Sequence, residues 1–200
     1  VLNNEIDEKN TVSIQNAIKV NSLFPYQLAN LTKQYNTKVL QISTDGVFSK
    51  ESGVCTEEML SNSEDIYGKT KKMGEVDSWN FLNLRCSIIG PSPNVKKGIL
   101  EWFLARPKNT KVNGFINQKW NGVTTLQFAD LCDKIISKNF YKKIRSEGSI
   151  HHFCPNESIN KFDLLTLFKR WFRSDLEVIS VEDSNNLISR SLETKYLTIA

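Results

Sequence analysis

Paired cysteines are missing from this chain: Cys55, Cys86, Cys132 and Cys154 stand far apart, and no C-x-x-C occurs among them. That spacing excludes a zinc ribbon and a disulfide framework, and scattered reduced thiols suit the cytosol. Long apolar runs are missing too. None approaches the roughly 18 to 20 residues that span a bilayer, and the first residues lack the basic-then-apolar order of a secretion signal. Charge is not segregated: 26 basic and 22 acidic residues are spread along 200 positions, for a net charge of +4. This gives little footing to a nucleic-acid or membrane partner and fits a small anionic ligand equally well. Internal repeats and low-complexity tracts are also absent. The expectation is a cytoplasmic globular protein, because 40% hydrophobic residues with 10% aromatics can bury a core.

The chain opens at Val1-Leu2-Asn3-Asn4 without a methionine, in what reads as the end of a strand, so it is expected to be a fragment. Residues 13 to 35 carry Ala17, Val20, Leu23, Phe24, Leu28 and Leu31 near the helical period, with Pro25 an irregularity; this predicts an amphipathic helix. Lys38 to Ser43 reads as a strand running into Thr44-Asp45-Gly46. A polar loop from Ser49 to Asp65, a helix from Ile66 to Val76 and a strand from Phe81 to Ser87 follow. Strands alternating with helices predict a parallel sheet.

Gly90-Pro91-Ser92-Pro93 marks a break, followed by a short apolar helix from Ile99 to Ala105 and polar segments around Trp120. Order returns where Thr124 or Thr125 can cap a helix through Leu126, Phe128, Leu131, Ile135 and Ile136. A strand is expected at Ile150 to Cys154, a helix through Phe162 to Phe172 capped by Ser158 or Asn160, and a last strand at Leu176 to Val181.

The chemistry centres on Ser43-Thr44-Asp45 at a strand's end and on Tyr67-Gly68-Lys69-Thr70-Lys71 opening a helix. Tyrosine and lysine four residues apart share a helix face, so the Lys71 ammonium can approach the Tyr67 phenol. A nearby cation favours the phenolate and moves a group of pKa near 10 toward use in acid–base catalysis. A hydroxyl at the carboxyl end of a strand, Thr44, stands where open α/β sheets bind ligands. Alone, Y-x-x-x-K is a loose pattern that many amphipathic surface helices carry.

It is not alone. Val20-Asn21 with Leu28-Ala29, Ser43-Thr44-Asp45-Gly46-Val47-Phe48, Thr56-Glu57-Glu58, Tyr67 to Lys71, Gly74-Glu75 and Leu84-Arg85-Cys86-Ser87-Ile88-Ile89-Gly90-Pro91 resemble, in order and spacing, the dTDP-4-dehydrorhamnose reductase branch of extended short-chain dehydrogenases. Leu100 to Leu104, Gly122-Val123-Thr124-Thr125 and Ser158 to Leu165 are similar to later segments of sugar-nucleotide reductases that serve polysaccharide synthesis.

The resemblance implies an α/β, doubly wound parallel sheet, Rossmann-like with its amino-terminal βαβ units missing, and a smaller carboxy-terminal substrate lobe. It divides the chain into residues 1–90 and 121–155 for the dinucleotide-binding part and 91–120 and 156–200 for the lobe. The implied activity is reduction of a keto group on a nucleotide-linked deoxysugar with NADPH or NADH. Catalysis would rest on Thr44, which orients the carbonyl, Tyr67, the proton donor, and Lys71, which holds the nicotinamide ribose and tunes Tyr67. Ser43, Cys86 and Ser87 would stand near the cofactor, and Asp45 and Ile88 near the substrate. Trp120, in a polar segment, is a candidate contact for a sugar or base.

The implied partner is a nucleotide-sugar, without nucleic acid or membrane, and a homodimer is admitted. Epimerases and dehydratases of the same superfamily use the same three residues, and a non-catalytic binding subunit is the alternative from another class. The nine glycines contain no G-x-G-x-x-G or G-x-x-G-x-x-G run. The chain by itself is therefore expected to bind NADPH weakly or not at all and to lack activity, with the helix face around Val20 and Leu28 exposed. Asn3 to Lys9 bring charges where relatives have small apolar residues. His151 and His152, with no ligand spacing to an acid or thiol, read as structural.

Overall fold

The computed structural model describes residues 3–92, 96–183 and 188–196. Val1 and Leu2, part of the expected strand end, and Pro93 of the expected break lie outside the described residues; Asn3–Glu5 form a 3-10 turn. The Asn10 side chain accepts from the amides of Val12 and Ser13 and starts α1 (Thr11–Ala17). A π-helical stretch, Ile18–Leu23, continues directly into α2 (Phe24–Gln34). Pro25 accounts for the widening: it has no N–H for the carbonyl four residues back and its ring crowds that carbonyl. The Phe24 amide correspondingly reaches the Lys19 carbonyl, five residues back.

The buried face of this continuous helix is made of Ala17, Asn21, Ser22, Pro25 and Ala29. The apolar stripe picked out by periodicity points mostly to solvent: Val20, Leu23, Phe24 and Leu31 are 42%, 49%, 54% and 54% exposed. Leu28, by contrast, packs beside Ala29, Val76 and Phe81.

The chain continues through β1 (Val39–Thr44), a 3-10 turn at Asp45–Val47, and β2 (Gly53–Cys55), a short strand inside the segment expected to be loop. The Asp65 carboxylate caps α3 (Ile66–Met73) by accepting from the Gly68 amide at 2.6 Å. Next come β3 (Phe81–Cys86), β4 (Ile88–Ile89), α4 (Ile99–Leu104), β5 (Lys111–Phe115), β6 (Lys119–Trp120) and β7 (Val123–Thr124). Thr124 and Gln127 form a capping box at the start of α5 (Thr125–Ser137), as the paired threonines predict. Then follow α6 (Tyr141–Glu147), β8 (Ile150–His152), β9 (Ile159–Asn160) and α7 (Lys161–Phe172), capped by Asn160, and last β10 (Glu177–Val181) and β11 (Arg190–Leu192).

The main sheet runs β1-β3-β8, all parallel, with Val39 to Thr44 in register with Phe81 to Cys86. Every residue of β3 is buried, as a strand covered on both faces requires. Leu82, Leu84 and Cys86 pack on one side with Phe128, Leu131, Ile135 and Ile144 of α5 and α6. Phe81, on the other, packs with Ala29 and Val76. A separate core joins Leu100 and Phe103 of α4, Val112 of β5, Leu164, Leu165 and Phe168 of α7, and Leu176. It is closed by the parallel pair β5-β10. The pairs β4-β7, parallel, and β6-β9, antiparallel, join the sheet to this lobe. β11 returns to pair with β2, where Leu192 packs on Val47, Phe48 and Cys55.

Candidate active site

Thr44 ends β1, and the next residues turn sharply: the Gly46 amide donates to Thr44 Oγ1 at 3.0 Å. Glycine eases this turn because the Tyr67 ring lies against it; a Cβ on Gly46 would stand a close 3.1 Å from that ring. Gly68 has the same task from the other side, since a Cβ there would fall 2.1 Å from the Gly46 carbonyl oxygen. The two glycines let the first turn of α3 sit directly on the end of β1. The Tyr67 ring and the Thr44 hydroxyl thereby flank Gly46 together, since a Cβ there would stand 3.1 and 3.2 Å from them.

Burial raises the Tyr67 phenol above its ordinary range, the Thr44 hydrogen bond opposes this, and the Asp45 and Asp65 carboxylates add to it. The phenol is therefore held in its protonated, proton-donating form. Lys71, one turn further along α3, is half-buried, and desolvation draws its ammonium below the usual lysine range, against the pull of Glu75. Its Nζ donates to the Ile42 carbonyl of β1 at 2.8 Å.

Ser43 does not face this site. Alternation along β1 sends its side chain opposite to that of Thr44, and its hydroxyl donates to Glu75 Oε1 at 2.7 Å. Glu75 also accepts from Arg85 Nε and Nη2, both at 2.7 Å, in a pair whose side chains are 0% and 1% exposed. Burial alone would raise the Glu75 carboxyl, but the hydrogen bonds and charge of Arg85 hold it below the usual range. Arg85 further meets His152 Nε2 at 3.3 Å and the face of Phe48. His152 Nδ1 lies 2.9 Å from the Glu193 carbonyl and His151 Nε2 lies 3.1 Å from that of Gly148, so both buried histidines have structural partners.

Cys86 pairs with Thr44 across the sheet; burial pushes its thiol up to about 12, leaving it inert. Ser87, just beyond, accepts from the Trp120 indole at 2.8 Å. Gly122 permits this contact, since a Cβ there would come within 2.4 Å of the Trp120 ring. Asp45 forms an ion pair with Arg190 at 3.2 Å, and Arg190 also donates to the Phe48 carbonyl at 2.9 Å.

Two adjoining cavities make one cleft between the strand ends and the lobe. One, about 580 Å³, is lined by Tyr67, Ile88, Gly90, Ile99 and Thr125. The other, about 340 Å³, is lined by Asp45, Ser87, Ile88, Trp120, Lys161 and Arg190. Thus Asp45, Tyr67, Ser87, Ile88 and Trp120 line the cleft, Thr44 and Cys86 lie buried at the adjoining ends of β1 and β3, Lys71 stands at the outer edge of β1, and Ser43 lies behind the sheet. Arg190 and Lys161 were missed by sequence reasoning. Arg190 comes from a three-residue strand with no periodic signal, and Lys161 directly follows Asn160, one of the two residues offered as cap.

Comparison with known proteins bears on this geometry. The profile of the RmlD substrate binding domain matches residues 6–190. No curated protein sequence matches the chain. Among solved structures, a dTDP-4-dehydrorhamnose reductase from Clostridium acetobutylicum is similar with a TM-score of 0.71 at 20% identity, over 94% of this chain and 66% of that one. A hypothetical dTDP-4-dehydrorhamnose reductase from Sulfolobus tokodaii gives 0.69 at 24% identity, over 89% and 63%. The Bacillus anthracis dTDP-4-dehydrorhamnose reductase in complex with NADP gives 0.70 at 18% identity, over 92% and 65%. The chain spans just under two thirds of the length of these structures. The likeness establishes a Rossmann-like α/β fold.

Proposed function

The chain belongs to the RmlD substrate binding domain family, and on that premise we propose that it reduces a keto group on a nucleotide-linked deoxysugar with NADPH or NADH, in the supply of polysaccharide precursors. The observation that carries the reading is the juxtaposition of Tyr67, which lines the cleft, with the Thr44 hydroxyl beside Gly46 at the end of β1. Two hydroxyls converge there as donors for one carbonyl oxygen. Bound nicotinamide supplies the hydride to the carbonyl carbon.

The residues present fit the nicotinamide-ribose end of such a cofactor. Lys71 Nζ commits one N–H to Ile42 and, as an ammonium, has two more to offer a ribose hydroxyl or the Tyr67 oxygen. Thr44 Oγ1 already accepts from Gly46; its own proton is thus directed outward, to Asp45 in the free chain and to the substrate carbonyl in the reaction. Tyr67 transfers its proton to that oxygen as the alcohol forms. The phenolate left in a desolvated position is unfavourable, and the Lys71 ammonium one turn away is the cation that can swing to it.

The two cores support a division into a dinucleotide-binding part, residues 1–90 and 121–155, and a substrate lobe, 91–120 and 156–200, although Leu192 packs with the first. Asp45, Ile88 and Trp120 would face the sugar-nucleotide, and Cys86 and Ser87 the cofactor. All four cysteines are free, which agrees with a cytoplasmic enzyme; among the described residues no helix is long and apolar enough to cross a membrane.

The test is NADPH consumption by the full-length protein when dTDP-4-dehydrorhamnose is added. Tyr67→Phe keeps the ring packing against Gly46 and should lower kcat about 100-fold to 10,000-fold. Near-normal turnover in that variant would remove Tyr67 from the reaction.

A further inference from the structure

Lys161 opens α7 on the lobe side of the cleft and is half-buried. Its ammonium lies 5.1 Å from the ring centre of Phe115 and 5.8 Å from that of Trp102. Among the described residues no carboxylate pairs with it, and desolvation alone draws it below the usual lysine range. Arg190 in the same wall differs, because its charge is committed to Asp45. The cavity they share is lined by three cations, Lys119, Lys161 and Arg190, against the single carboxylate of Asp45.

A cation withdrawn from water without a counter-charge is costly, and ring faces return only part of that cost. Such a group is poised for an anion entering the cavity, where the apolar walls of Ile99, Trp120 and Leu164 would strengthen the attraction. We infer that Lys161 is an anion subsite for the diphosphate of the nucleotide-linked sugar, on the lobe wall of the cleft. The identity of the ligand rests on the reductase reading above; the anion site itself does not.

Inorganic pyrophosphate is the first probe, titrated into the 200-residue chain while tryptophan emission is followed, since Trp102 lies beneath the ammonium and Trp120 lines the cavity. Saturable binding is expected, weakened about tenfold to a hundredfold in Lys161→Gln and retained in Lys161→Arg and in the remote Lys138→Gln. Lys161→Gln should melt no lower than the parent, because the charge it removes has no carboxylate partner. Binding that is unchanged in Lys161→Gln, or absent from the folded parent chain, would overturn the inference.

In the full-length enzyme the same variant should raise KM for the nucleotide-sugar by about tenfold or more with little change in kcat. Pyrophosphate binding lost in Lys161→Gln without any reductase activity in the parent would keep the anion site and discard the reductase reading. Reductase activity with an unchanged KM in Lys161→Gln would do the reverse.

Discussion

The amino-terminal helices and the lobe helix α7 are drawn from similarly apolar sequence, yet they bury opposite kinds of residue. α7 buries Leu164, Leu165 and Phe168. The α1–α2 helix buries Ala17, Pro25 and Ala29 with two polar side chains, and leaves Leu23, Phe24 and Leu31 about half exposed. The difference follows from what each must hold. Asn21 and Ser22 hydrogen-bond Thr70 of α3 at 3.2 and 2.8 Å, and a Cβ on Gly74 would stand 1.9 Å from the Asn21 carbonyl oxygen. Only small residues allow that approach, and it seats α3 so that Tyr67 meets Thr44. The lobe needs no such closeness and fills its interior with large side chains.

Glu75→Gln should break the first region most severely. It leaves the Arg85 guanidinium, 1% exposed, without its carboxylate, which typically costs about 3–5 kcal/mol. Chemical denaturation would show the loss, and a change below about 1 kcal/mol would mean that the pair does not organise the sheet wall. A contrast of the helices comes next. Leu165→Ala in the lobe should cost about 2–5 kcal/mol, whereas Leu23→Ser on the exposed stripe should stay within about 0.5 kcal/mol. Equal losses at the two positions would show that the stripe is covered after all.

The smallest effect is the pH dependence of melting. Glu75, His151 and His152 have folded-state pKa values below their usual ones: burial is the leading cause for both histidines, and Arg85 holds down Glu75. Their stabilisation is present above the unfolded pKa and is lost as pH falls, starting near the ordinary histidine value of 6.5. Cys86 and Tyr141, both pushed up to about 12 by burial, contribute below the unfolded pKa and lose that contribution as pH rises from about 9. The melting temperature should therefore be flat near neutrality and fall on both sides. A rise in stability toward pH 5 would contradict the histidine assignments.

Much of this was legible in the sequence wherever a period or a cap was long enough to read. β1, α3, β3, α4, α5, β8, α7 and β10 were expected close to where they lie, and the caps Thr124 and Asn160 were each one of two candidates read from side-chain chemistry. The strands β2, β4, β6, β7, β9 and β11 are two or three residues long, too short for alternation to register; β5, five residues, was read as a polar segment because Lys111, Asn113 and Gly114 dilute its apolar signal; and α6, also missed, is a seven-residue helix without a side-chain cap. Periodicity located the stripe on α1–α2 but not the face that would be covered, because that choice depends on the neighbour.

At the site, the Tyr67 and Thr44 positions were readable from the strand-end and helix-start pattern. The turning of Lys71 to the Ile42 carbonyl and of Ser43 to Glu75 was not, since both depend on tertiary partners. Arg190 reaches Asp45 across 145 residues of sequence, beyond any local pattern.

The central claim is that Thr44 and Tyr67 act as one unit on one carbonyl oxygen, and a double-mutant cycle on kcat tests it most directly. Single-turnover NADPH oxidation would be followed in the full-length protein for Thr44→Val, Tyr67→Phe and the pair together. A shared task predicts strong non-additivity, with the double variant about as slow as Tyr67→Phe alone. Losses that simply multiply would show that the two hydroxyls act separately and would contradict the account.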